Sequence, residues 1–138
     1  AYAASVYPVG ALSDRVDRVG LLLIGLGLLI VADLVLAFAP GLVAITCGVV
    51  LWGLHMGFTQ GLLAALVADA APAELRGTAY GMFNLVTGLA MLAASVIAGA
   101  LWDWVGPAWT FFAGAGFAVA TIAGLVPVRR RLDGRAAR

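Results

Sequence analysis

The 138 residues are 64% hydrophobic and 11% charged, with a mean hydropathy of +1.08. This is far from the roughly even apolar and polar mix of a water-soluble domain. A net charge of +1, with no basic stripe interleaved with aromatics, excludes a nucleic-acid partner. The one cysteine, Cys47, lies in an apolar run, so neither a disulfide framework nor a paired-cysteine metal site can form, and no cofactor is implied.

In chain order, Tyr2 to Val9 reads as the tail of a membrane span, and Ala1 opens in mid-pattern without a methionine, which suggests a preceding segment. Four apolar runs follow, over Gly20–Ala39, Leu42–Val67, Thr78–Leu101 and Ala108–Val126. Each is close to the ~20 residues that a helix needs to cross a bilayer core about 30 Å thick. Pro8, Pro40, Pro72, Pro107 and Pro127 fall at or beside the ends of these runs, where a missing N–H does least harm. In lipid, backbone groups must be satisfied within their own segment, and the short alternating segments of a membrane β-barrel are lacking. The expected fold is an all-α polytopic transmembrane bundle, with four full spans and the tail of a fifth.

All eight basic residues are arginines. Arg15 and Arg18 precede the first run, Arg76 separates the second and third, and Arg129, Arg130, Arg131, Arg135 and Arg138 follow the fourth. The intervening loops carry no basic residue, so short-loop arginine retention puts the arginine side and the C-terminus in the cytoplasm of a cell membrane, plasma or inner. Trp102, Trp104 and Trp109 gather at the opposite interface, as an aromatic belt would.

The second run carries Gly53, Gly57 and Gly61 at intervals of four, a face that lets a neighbouring helix approach closely. At about 100° per residue the other side gathers Trp52, His55 and Thr59. His55 falls mid-span, where an ionisable group is expensive and titrates near physiological pH. It reads either as a neutral ring bonded to another helix or as a substrate or proton contact. Asp33 lies in the outer part of the first run and fits an interhelical or interfacial pairing better than chemistry, and Gln60 suits an interhelical hydrogen bond. In the third run Tyr80, Asn84, Gly88, Met91, Ser95 and Gly99 share a side expected to face helices or a pathway. Val86, Leu89, Ala93, Val96 and Ile97 are expected to face lipid.

At the first arginine loop, Gly10, Leu12, Asp14, Arg15 and Arg18 resemble the loop signature of the major facilitator superfamily, G-x-L-x-D-R-x-G-R followed by a basic residue. Asp17 stands at the second glycine and Val19 at the final basic position, as in the weaker copy of that family's second half. The loop from Pro72 to Gly81 is similar to the family's connection between helices 10 and 11. The resemblance implies the end of helix 8 and helices 9 to 12 of a twelve-helix secondary transporter, whose partners are a small-molecule substrate, the lipid bilayer and its own N-terminal half. It further implies alternating access around a midplane site. The second run would be the cavity-lining tenth helix, which favours Trp52, His55, Thr59 and, on the third run, Asn84, with protons as the candidate coupling ion through His55. The first and fourth runs would be peripheral supports.

Asp14, Arg15 and Arg18 form an expected cytoplasmic latch, with Asp14 against a positive helix end and the arginines on nearby acids; simple arginine anchoring would place the same residues there. An enzyme is not expected, since HExxH, GxSxG and a phosphate-binding glycine loop with lysine are lacking. The competing function is a non-transporting four-helix scaffold or assembly subunit, for which the glycine face would suffice. These residues alone are not expected to enclose a transport pathway.

Overall fold

A computed structural model describes residues 17–136, with side chains described through 127. The span tail at Tyr2 to Val9, and Asp14 and Arg15 of the expected latch, lie outside the described residues. Four helices long and apolar enough to cross a membrane account for most of the described chain. They are α1 (Arg18–Ala37), α2 (Leu42–Ala70), α3 (Arg76–Trp104) and α4 (Pro107–Ala136), with a short 3-10 turn, Ala73–Leu75, leading into α3. No strand occurs among the described residues, and the all-α bundle expected from hydropathy is what forms.

Local chemistry sets the helix ends. Asp17 caps α1, its carboxylate accepting from the N–H groups of Val19 at 3.0 Å and Gly20 at 3.1 Å. Such a cap stabilises a helix start by about 1 kcal/mol and gives the departure from glycine at this position a structural role. Pro40 follows the end of α1, and the α3–α4 turn is made at Gly106, whose φ of +110° suits a residue without a Cβ. Pro107 then occupies the first position of α4, where its lack of an N–H removes nothing the helix uses.

At the other end of α4 the structure departs from the sequence reading. The apolar stretch ends at Pro127 as expected, but the helix continues to Ala136 with that proline inside it. Proline deletes the single rung to the carbonyl four residues earlier, and the run of helix-forming residues after it sustains the remaining rungs.

Opposed residues give the order of packing. Arg18 meets Asp69, Gly25 meets Phe58 and Thr59, and Leu36 meets Gly48, so α1 and α2 run antiparallel along their whole length. Asp33 against Gly114 and Phe38 against Phe112 set α1 antiparallel to α4. Tyr80 Oη donates to the Ala64 carbonyl at 2.9 Å and Thr110 Oγ1 to the Ala98 carbonyl at 3.3 Å, tying α3 to both its neighbours in sequence. Alternating directions put the start of α1, the α2–α3 connection and the end of α4 at one end of the bundle, which gathers the arginine-bearing segments there. The tryptophan-rich α3–α4 turn lies at the opposite end.

The core follows the seam of α1. Leu21, Leu22 and Leu62 pack together with Phe58, Leu66 and Leu125, while Ala32, Ala115 and Ala118 are buried where helices come close. Helix α3 has no buried residue. Asn84, Gly88, Met91, Ser95 and Gly99, the side expected to meet other helices, are exposed within this chain. Ile97, expected on the lipid side, instead joins Ala94 and Ala98 on an interior wall. Periodicity finds two sides of a helix, and here the contact of Ala98 with Thr110 decides which one turns inward.

Candidate functional site

A cavity of about 650 Å³ opens between the four helices. Its walls come from the 29–36 part of α1, the 45–55 part of α2, the 94–101 part of α3 and the 110–117 part of α4. All four stretches lie toward the end with the α1–α2 and α3–α4 turns, so the cavity occupies the half of the bundle away from the arginines. Its polar groups are few, Asp33, His55, Thr110 and the indole of Trp52, set among aliphatic side chains and the rings of Phe111 and Phe117. A mostly apolar hollow with a small number of convergent polar groups is the usual form of a small-molecule site.

Two of the four expected pathway residues stand on this wall. Trp52 is 45% exposed within the chain and borders the hollow. His55 borders it too, and its Nδ1–H donates to the Gly25 carbonyl at 2.8 Å. A carbonyl can only accept, so Nδ1 carries hydrogen and Nε2 is the atom left to exchange a proton or meet a ligand. The approach that makes this bond is close: a Cβ on Gly25 would lie 2.8 Å from Thr59 Cγ2 and 3.0 Å from Phe58 Cβ.

Thr59 is placed differently. It is 8% exposed, its hydroxyl donates back to the His55 carbonyl at 3.0 Å and its methyl fills the seam against Gly25. It supports the helix turn that carries His55 and lies off the cavity wall. Asn84 is exposed on α3, also away from the cavity.

Of the glycine stripe, Gly57 is buried, Gly53 half-buried and Gly61 exposed, with nothing within 4 Å of where its Cβ would stand. Close approaches among the described residues also fall at Gly25, at Gly48 against Leu36, and at Gly114 against Asp33, three glycines outside that stripe. On the arginine side, Arg18 pairs with Asp69 at the end of α2, joining the two helices beside the loop signature. Sequence reasoning did not foresee Asp69 in this role.

The largest departure from expectation is Asp33. It is 4% exposed, its carboxylate rests on the bare Cα of Gly114, and it borders the same cavity as His55. Its hydropathic surroundings were the available signal, a single carboxylate inside an otherwise apolar run. That signal does not say which way the side chain points.

These features define a polytopic α-helical membrane protein with a ligand-sized hollow between its spans. The sequence profile of the Major Facilitator Superfamily matches residues 1–137, and the chain belongs to that family. It is 34% identical over 125 residues, 91% of its length, to an uncharacterized MFS-type transporter of Methanocaldococcus jannaschii. An uncharacterized MFS-type transporter of Mycobacterium tuberculosis is 33% identical over 81% of the chain, and an MFS-type transporter of Aspergillus terreus 29% over 80%. The matched segments are 31%, 19% and 20% of those three proteins, so the chain spans a third or less of their length. No solved structure matches it.

Proposed function

We propose that this chain is the C-terminal third of a twelve-helix secondary transporter, which moves a small molecule across a cell membrane by alternating access. The family match and the names of the relatives support transport in general. The observation that carries the finer reading is the hollow bordered by Trp52 and His55 on α2, the helix that the loop order aligns with the tenth of the family. In this reading an N-terminal half completes the pathway, and the arginine-bearing end faces the cytoplasm. Asn84, exposed on α3, faces that half, while Thr59 holds the turn beneath His55. Gly53, Gly57 and Gly61 serve helix packing, toward helices of the remaining part where this chain leaves them open.

His55 is the proposed proton-handling group, through Nε2. Asp14, Arg15 and Arg18 form the proposed cytoplasmic latch, with Arg18 engaging Asp69 in the conformation described. Releasing that pair would let the arginine-side ends of α1 and α2 shift relative to one another during the cycle.

The test is solute counterflow in proteoliposomes containing the full-length protein, with labelled panels of amines, sugars and carboxylates. Saturable counterflow of at least one solute is expected, falling at least tenfold in His55→Asn. No saturable counterflow with any class would refute transport, and an unchanged rate in His55→Asn would remove the histidine from the pathway.

A further inference from the structure

A carboxylate within an apolar span is expensive unless it is paired, neutralised or in a wet cavity. Asp33 is the buried acidic residue among the described residues, and no cation or hydrogen-bond donor among them meets it. No described side-chain oxygen is both sealed from solvent and unpartnered, so its carboxylate oxygens retain access to the hollow that it borders. Gly114 makes room for this placement, since a Cβ there would stand 2.5 Å from Asp33 Oδ2.

His55 does not neutralise it. The imidazole is bonded to the carbonyl of Gly25, a position about 12 Å from Asp33 along the axis of α1, and no ion pair joins the two side chains. They bound the cavity at separate levels. No arginine stands on the wall, where the remaining groups are the Thr110 hydroxyl, aliphatic side chains and the rings of Trp52, Phe111 and Phe117. Aromatic faces attract a cation, most strongly where water is displaced.

We propose that the hollow is a binding site for a lipophilic organic monocation, an ammonium or phosphonium, with its charge against the Asp33 carboxylate and its apolar body among Trp52, Phe111 and Phe117. The volume of about 650 Å³ falls within the ~300–1,000 Å³ common for small-molecule sites. A neutral ligand of the same shape would leave the buried carboxylate uncompensated. An anion would meet it with like charge. The inference deepens the transport reading by naming a ligand class, and it rests on that reading only for the consequence that the bound cation is moved.

Equilibrium binding to the purified full-length protein in detergent tests it without requiring flux. Tetraphenylphosphonium is titrated calorimetrically beside neutral triphenylphosphine oxide. Saturable binding of the cation, at least tenfold tighter than the neutral compound, is expected. Asp33→Asn should weaken cation binding at least tenfold and leave the neutral compound unchanged, whereas Asp33→Glu should stay within about threefold of wild type. Equal affinity of the wild type for both compounds, or full cation affinity in a folded Asp33→Asn protein, would overturn the proposal.

Should the asparagine variant lose its monodisperse elution, the wild-type comparison and Phe117→Ala decide instead, the latter with an expected loss of at least threefold for the cation. Counterflow of other solutes without cation-selective binding would refute this inference and leave transport standing. Asp33-dependent binding without flux of any solute would support it and remove the transport reading.

Discussion

Replacing Gly25 by alanine places one methyl group into a close-packed part of the α1–α2 seam. The added carbon would lie 2.8 Å from Thr59 Cγ2 and 3.0 Å from Phe58 Cβ, where about 3.5–4.0 Å is the comfortable carbon separation. Neither neighbour yields easily. Phe58 Cβ is fixed to its helix, and turning Thr59 would break the bond from its hydroxyl to the His55 carbonyl. The helices must therefore separate by most of an ångström, stretching the 2.8 Å bond from His55 Nδ1 to the Gly25 carbonyl.

Overpacking of this kind destabilises by about 1–3 kcal/mol, and loss of the hydrogen bond adds ~0.5–1.5 kcal/mol. Alanine's better helix propensity offsets up to ~1 kcal/mol, leaving a net destabilisation of about 1–3 kcal/mol. Gly27→Ala is the matched control, because nothing stands within 4 Å of its added carbon and only the propensity gain remains. Thermal unfolding of the purified intact protein, followed by tryptophan fluorescence, should rank Gly25→Ala below wild type and Gly27→Ala at or above it. If Gly25→Ala unfolds no earlier than Gly27→Ala, the close seam at this position is refuted.

The pair Arg18–Asp69 is partly open to solvent, with side chains 29% and 62% exposed, so Arg18→Ala should change stability by less than about 1 kcal/mol. A latch role nevertheless predicts lower counterflow for Arg18→Asp and for Asp69→Arg, with partial recovery in the double exchange; additive losses would leave only anchoring. Gly106→Ala forces a Cβ into a φ of +110° and should destabilise by about 1–3 kcal/mol in the same melt, and an unchanged midpoint would show that the α3–α4 turn takes another shape.

Much of the architecture was legible in advance because lipid allows few solutions. Runs the length of the hydrocarbon core must close their own hydrogen bonds, so the four helices and most of their ends could be read from apolar length and from Pro40, Pro72 and Pro107. Pro127 misled, since the end of an apolar stretch and the end of a helix are separate events. The α2 side carrying Trp52 and His55 was legible from periodicity, and both reach the cavity. Thr59 shares their side but is drawn into the seam by the gap that Gly25 leaves. Two residues on one side of a helix can thus meet different surroundings.

Composition, hydropathic length and arginine placement determined by themselves that the chain is helical, spans a membrane several times and keeps its basic segments at one end. Each of these follows from local backbone chemistry and the nature of the solvent. Only the packed structure decided that Asp33 turns to the hollow, that Gly25, Gly48 and Gly114 each stand at a close approach, and that Asp69 answers Arg18. Those outcomes depend on the rotation and register of one helix against the next, which are set by contacts between residues far apart in the chain.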